Sequence, residues 1–177
     1  CGFDGFFAIN ISARELHNDN FVADLTALFD AYPIEPADVE LEITETYLET
    51  KDSRLLDNLH SLKALGVRLA LDDFGTGYTG FSQLASYPVD IIKIDRSFTQ
   101  EINVDVSNRR LTVDIIVELA RLYELTIVAE GVEDLQQLEY IQDLGVECVQ
   151  GFYLSRPLTY EDFSKLVTQK NAEDNYQ

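Results

Sequence analysis

The chain has 177 residues, 46% of them hydrophobic and 25% charged, and a formal net charge of −19 at pH 7. That length and apolar content suffice for one sizeable core, while the negative charge excludes a nucleic-acid polymer as partner and makes an anionic ligand dependent on cations. The two cysteines, Cys1 and Cys148, sit in no CxxC or Cys/His cluster and fit a reducing, cytoplasmic setting; no apolar run approaches the roughly 20 residues of a membrane span, so no membrane contact is expected from this stretch.

Phe6–Ile11 reads as a core strand within a few residues of the first position, and the chain contains no methionine. Together these lead to the expectation that the sequence begins part way through a domain. Ser12 with Glu15 three residues on is a capping-box signature, and Phe21, Val22, Leu25, Leu28 and Phe29 follow at helical spacing up to Tyr32-Pro33. Val39–Ile43 alternates as a strand, and Leu55, Leu56, Leu59, Leu62 and Leu65 before Gly66 form an amphipathic helix with a glycine stop. Val67–Leu71 is a buried strand running into Asp72-Asp73-Phe74-Gly75-Thr76-Gly77-Tyr78, followed by a short helix around Phe81, Leu84 and Ala85 closed by Pro88. The spacing then predicts a strand at Ile91–Asp95, a helix at Leu111–Tyr123, a strand at Thr126–Ala129, a helix at Leu135–Leu144 closed by Gly145, and a strand at Glu147–Phe152. A last helix is expected from about Tyr160 to Val167. The domain then covers 1–168 and a frayed tail 169–177.

Strand and helix alternate in six units of about 25 to 30 residues, the pattern of right-handed βα units on a parallel sheet. In a barrel, residues of one parity face outward onto helices and the other parity fills the interior. Ile9 and Ile11, Leu41 and Ile43, Leu69 and Leu71, Ile92 and Ile94, Ile127 and Ala129 form an apolar outward set. The opposite parity carries Asn10, Glu42, Asp72, Lys93, Glu130 and Gln150, each at or near the C-terminal end of a different strand, where (β/α) barrels build their active sites.

Two adjacent carboxylates at one strand end repel each other unless a cation sits between them. Asp73 capping a turn with Asp72 in solvent is the plainer alternative, and Glu40 and Arg68, which share the inward parity, are also compatible with interior salt bridges alone. For the six together, a ligand is the better account, because converging buried charges without one are costly. Asn, Asp and Glu oxygens are hard ligands suited to Mg²⁺, Mn²⁺ or Ca²⁺, and a lysine beside them can orient or deprotonate a water.

Asn10-Ile11-Ser12, Leu41-Glu42-Ile43-Thr44-Glu45, Asp72 to Tyr78, Lys93-Ile94-Asp95-Arg96-Ser97-Phe98, Ala129-Glu130-Gly131-Val132-Glu133 and Gln150-Gly151-Phe152 together resemble the EAL family of bacterial cyclic di-GMP phosphodiesterases, in order and over essentially the whole chain. The resemblance implies an α/β fold, a modified (β/α)₈ TIM-like barrel of which six βα units are present here. It implies hydrolysis of cyclic di-GMP to pGpG with two Mg²⁺ or Mn²⁺ ions, Ca²⁺ substituting or inhibiting. By the same likeness Asn10, Glu42 and Asp72 hold one metal, and Asp73 and Glu130 join Asp72 around a second. Lys93, Glu130 and Gln150 are then the catalytic set, with Lys93 on the attacking water. Asp95 and Arg96 lie on the substrate and loop side, with Thr76 in the loop that Glu45 and Glu133 steady. The family further implies a homodimer and fusion to sensory or GGDEF domains, through which an intact protein could be membrane-anchored.

Two departures stand out. The Glu-Ala-Leu of the family lies upstream of the Asn10 strand, and a whole barrel takes about 250 residues. Thr79-Gly80 stands where the family usually has two serines. Two alternatives therefore stay open beside the phosphodiesterase: a catalytically silent cyclic di-GMP receptor or interaction module, and a metal-dependent barrel enzyme acting on another phosphorylated substrate.

Overall fold

The computed structural model describes residues 5–49, 53–76, 84–100, 102, 107–146 and 148–174. In chain order the elements are β1 (Phe7–Asn10), α1 (Ala13–Leu16), α2 (Phe21–Ala31), β2 (Val39–Thr44), α3 (Ser53–Leu65), β3 (Arg68–Phe74), β4 (Ile91–Ile94), α4 (Arg96–Gln100), α5 (Ser107–Leu122), β5 (Thr126–Ala129), α6 (Leu135–Asp143), β6 (Cys148–Val149) and α7 (Tyr160–Asp174). The six strands are parallel and neighbour one another in sequence order, in a sheet curled into a half-barrel with helices outside. No helix among the described residues is long and apolar enough to cross a membrane.

The core lies between the outer face of this sheet and the helices. Leu41, Ile43, Leu69, Leu71, Ile92 and Ile94 are almost completely buried, as the alternation requires, and Leu55, Leu59 and Leu62 of α3 and Val113, Ile116, Val117 and Ala120 of α5 cover them at helical spacing. Gly66 (φ +105°) follows α3 and Gly145 (φ +76°) lies just beyond α6, both in the left-handed region where a side chain is strained. Asp134 and Gln137 cap α6 reciprocally, and Ser12 and Glu15 do the same for α1.

Several elements differ from expectation, each for a local reason. The helical stretch after Ser12 is two helices, because the Asn18 side chain accepts the Asn20 N–H and turns the chain between them. β3 runs on through Asp72 and Asp73 to Phe74. Conversely, the last strand stops at Val149: Gly151 passes so close to the backbone of Val132 that a Cβ on it would lie 2.1 Å from the Val132 carbonyl oxygen, and the chain turns there. α7 continues to Asp174, beyond the expected end at Val167. The short helix expected around Phe81 falls mostly outside the described residues, although Leu84 is buried. Ile9, placed in the outward apolar set, is 49% exposed and Phe7 is 53% exposed, because among the described residues β1 pairs only with β2 and no helix covers them fully.

An uncovered parallel edge with half-exposed Phe7 and Ile9 is a template for association. Completing the burial of each is worth roughly 1 kcal/mol. The chain should therefore self-associate in sedimentation at micromolar concentration, and Ile9→Lys should shift it toward monomer; an unchanged distribution would show that another surface associates.

Candidate functional site

The polar residues at the strand ends gather around one ammonium group. Lys93 on β4 is 3% exposed, and its Nζ lies 2.6 Å from Glu42 Oε1 on β2, 2.6 Å from Glu130 Oε1 just past β5, and 3.1 Å from Asp72 Oδ1 on β3. The register explains the convergence: Thr44 pairs with Asp72 and Lys93 with Val128, so residues of interior parity on successive strands reach the same mouth. Asn10 pairs with Glu42 and lies exposed at the end of the β1 edge.

Asp72 and Asp73 are adjacent, so in a regular strand they would face opposite ways. A bulge overrides this. Leu71 pairs with Ile92 and Phe74 with Ile94, leaving two residues of β3 opposite one of β4. Asp73 takes a left-handed backbone conformation (φ +56°), which Asp tolerates better than most residues. As a result Asp72, Asp73 and Glu130 each present an oxygen within 4.8 Å of the others. Beyond the bulge the chain is tied back: the Thr76 hydroxyl donates to the Asp73 carbonyl at 2.8 Å, and the Gly75 N–H donates to Glu45 Oε2 at 2.9 Å. Glu45, 2% exposed, opens the 3-10 turn Glu45–Glu49 that follows β2, so its carboxylate reaches from the neighbouring strand to the start of the loop.

The charges are unbalanced. Burial by itself would push the Lys93 ammonium down, but hydrogen bonds to Glu130 and Glu42 and the charges of Glu130 and Asp72 outweigh it and hold the group firmly protonated. Burial pushes the Glu130 carboxyl above its ordinary value against the opposing pull of Lys93. Asp73 is raised too, by burial first and then by the charges of Asp72 and Asp95, with which it shares a side-chain hydrogen bond. Asp72 Oδ1 is buried without a hydrogen bond, the lysine lying near but not aimed at it. Hard oxygen donors, negative charge in excess of one ammonium and a buried oxygen lacking a hydrogen bond all fit a divalent cation.

The other expected site residues spread around this centre. Gln150 is exposed and fixed by its backbone, its N–H donating to Ala129 and its carbonyl accepting from Val132. Asp95 Oδ1 accepts the Ser97 N–H at the start of α4. Arg96 is exposed, and its Cβ packs against Gly131 so closely that a side chain there would lie 2.4 Å away. Glu133 accepts from Gln100 and is bonded through its N–H to Gln137, rather than to the described part of the loop. Thr76 bonds within its own turn rather than to Glu45. Gly77, Tyr78, Thr79 and Gly80 lie outside the described residues. The bulge is what sequence reasoning missed; its one signal is a pair of equally polar neighbours where strict alternation would bury one of them. Deeper in the barrel Glu40, buried and pushed up mainly by that burial, faces Arg68, whose guanidinium lies 3.7 Å from the centre of the Phe6 ring.

Known proteins share the sequence pattern and the fold. The family model described as EAL domain matches residues 3–157. The probable cyclic di-GMP phosphodiesterase PdeG of Escherichia coli is 38% identical over 168 residues, which cover 94% of this chain and 33% of that protein, so the chain spans about a third of this relative's length. Among solved structures, the EAL domain of Mycobacterium smegmatis DcpA superposes with a TM-score of 0.87 at 34% identity, covering 93% of this chain and 73% of that one. Klebsiella pneumoniae BlrP1 in its manganese/cy-diGMP complex superposes with a TM-score of 0.79 at 34% identity, covering 86% and 39%. With a family model matched over most of its length and the strand-end carboxylates gathered at one barrel mouth, this chain belongs to the EAL domain family.

Proposed function

We propose that the chain is the metal-binding part of a phosphodiesterase that hydrolyses cyclic di-GMP to linear pGpG. The observation that carries this reading is the bulge at Asp72-Asp73, which turns two adjacent carboxylates toward Glu130 beside a buried, protonated lysine. The ligand and manganese in the BlrP1 complex support it, as does the name of the E. coli relative.

Asn10, Glu42 and Asp72 would hold one Mg²⁺ or Mn²⁺, and Asp72, Asp73 and Glu130 a second, with Ca²⁺ able to take the same oxygen donors. Such ions supply Lewis-acid neutralisation of the phosphodiester and of the developing charge. The chain's own residues do the rest. Lys93, held protonated, is a donor and a fixed positive charge; it would orient the attacking water and the phosphate oxygens, and would act as a base only after first giving up its own proton. Gln150, fixed by its two backbone bonds, presents a neutral amide to the same water. Glu45 keeps Asp73 in place through the Gly75 N–H, so the loop geometry and the second metal position are linked. In-line attack of the water oxygen at phosphorus would break the P–O3′ bond, one water proton passing to the departing ribose 3′ oxygen and the other to the new 5′ phosphate or to solvent, which opens the ring to pGpG. Homodimerisation, and sensory or GGDEF domains in the remaining length of an intact protein, complete the proposal.

Turnover of cyclic di-GMP by the intact protein with Mn²⁺ tests this directly. Asp72→Asn and EDTA should each abolish hydrolysis, while Lys93→Ala should lower kcat by about 10²–10⁴ with ligand binding largely kept. Binding of cyclic di-GMP without any hydrolysis would make the domain a receptor, and full activity in EDTA would remove the metal from the mechanism.

The raised Asp73 carboxyl gives a second outcome. A group whose pKa is raised on folding contributes stability that is complete below its ordinary value and lost as pH rises through the raised one. Ionised Asp73 therefore costs the metal-free fold stability at about pH 7 but not below about pH 3.5, where it is protonated folded or unfolded. Asp73→Asn keeps a donor toward Asp95 and tolerates the left-handed backbone equally well. In EDTA its Tm should exceed wild type by a few degrees at about pH 7 and match it at about pH 3.5. A lower Tm at neutral pH would show that the Asp73 charge is compensated.

A further inference from the structure

We infer that Phe98 and Ile116 are positioning residues for Asp73, forming a seat on which Gly75 rests and so fixing the bulge that turns the second carboxylate into the site. The inference rests on the metal reading above and goes beyond it by naming what holds the carboxylate in place.

Gly75 lies two residues beyond Asp73 and has φ +96°. A methyl group on it would lie 3.0 Å from Phe98 Cε2, 3.1 Å from Ile116 Cδ1 and 3.2 Å from Phe98 Cζ, tighter than ordinary van der Waals contact. Phe98 on α4 is 6% exposed and Ile116 on α5 is 3% exposed, so neither side chain has solvent to move into. On its other side Gly75 is held by the hydrogen bond from its N–H to Glu45. The glycine is thus gripped between a carboxylate and an apolar wall.

The wall also registers with Asp73 itself. Phe98 follows Asp95 by three residues, and α4 is anchored on Asp95 through the Ser97 N–H to Asp95 Oδ1 and the Phe98 N–H to the Asp95 carbonyl. The Asp95 carboxylate in turn lies near enough to Asp73 for its charge to push that carboxyl up. One short segment, Asp95 with the α4 it caps, therefore meets the bulge at two points, the Asp95 charge beside the Asp73 carboxyl and the Phe98 ring against Gly75. A bulge residue in the left-handed region persists only when its surroundings over-determine it. These two contacts and the Glu45 bond supply that over-determination. Moving α4 or Ile116 by a few tenths of an ångström would shift Gly75 and carry Asp73 with it, while leaving Glu42 and Asp72 on their strands.

The test is a double-mutant cycle in the intact protein, read by Mn²⁺ binding with electron paramagnetic resonance and by thermal melting in EDTA. Gly75→Ala drives a methyl into the seat and should weaken one of the two Mn²⁺ sites by roughly 10–100-fold, the cost of disturbing a group that orients a metal ligand, while leaving the other site unchanged. Phe98→Leu alone keeps an apolar side chain but opens one side of the seat, and should weaken the same Mn²⁺ site by a smaller factor, about three- to tenfold. Combined with Gly75→Ala it removes the ring atoms the methyl meets, so the double variant should bind at least about fivefold more tightly than the two single losses combined would give, while Ile116 Cδ1 and the left-handed backbone of residue 75 keep it below wild type. A structural role confined to the core would instead make the effects on Mn²⁺ affinity additive, which would overturn the inference. So would unchanged Mn²⁺ binding in Gly75→Ala. Asp72→Asn is the control that separates the two layers: if it too leaves Mn²⁺ binding intact, the metal reading fails and the seat falls with it, whereas loss of binding in Asp72→Asn alone removes only the seat.

Discussion

One ammonium group surrounded by more negative charge than it can neutralise is the constraint on which this molecule turns. Lys93 is almost fully buried, and it stays charged because Glu42 and Glu130 each come to 2.6 Å and Asp72 to 3.1 Å. Those carboxylates in turn tolerate burial because the lysine is there. Removing either kind of partner leaves an isolated charge in a poorly solvated barrel mouth, which costs more than the pair gains. The strands can meet at this point only if they are parallel and in register, so the electrostatics of the mouth and the hydrogen bonding of the sheet specify the same arrangement.

The bulge on β3 adds a further carboxylate without adding a strand. Regular alternation permits one inward residue in two; the extra residue between Leu71 and Phe74 breaks that limit and places Asp73 beside Asp72. The cost appears as a left-handed Asp73 and a raised carboxyl, and the compensation as contacts arriving from Glu45, Asp95 and α4. Such crowding makes the ionised, cation-free state costly, and a cation placed among the carboxylates would relieve that cost.

Much of this was legible in the sequence, and the boundary of legibility is physical. Period-two alternation in Val39–Thr44 and the apolar run before Asp72 carried strand positions, and the spacing of Leu55, Leu59 and Leu62 carried the helix between them, because burial of one face dictates both patterns. The inward parity of Glu42, Lys93 and Glu130 follows from the same rule. What alternation cannot encode is a departure from alternation: Asp73 would be placed outward, and only backbone geometry turns it in. Likewise, the early end of β6 depends on how closely Gly151 approaches Val132, a contact between residues far apart in sequence. Nor does apolar pattern report what covers a face, so Ile9 reads as core by its neighbours and is half exposed in the fold.

The approach of Gly151 to Val132 has a topological consequence. Val132 donates to the Gln150 carbonyl and accepts from the Tyr153 N–H, while Gln150 donates to Ala129. These bonds cinch the base of a closed excursion that leaves the barrel mouth after Val132, runs through α6 and returns at Val149. Glu130 and Gln150 stand on either side of the cinch, so their separation is set by backbone bonds at the base and not by the length of what lies between. Lengthening or shortening the excursion on its far side, by whole turns of α6 or in the turn at Gly145, changes the outer surface of the domain while the two side chains keep their spacing. In this half-barrel the outer contour and the inner geometry are therefore separable at that point, and the outer one is free to diversify.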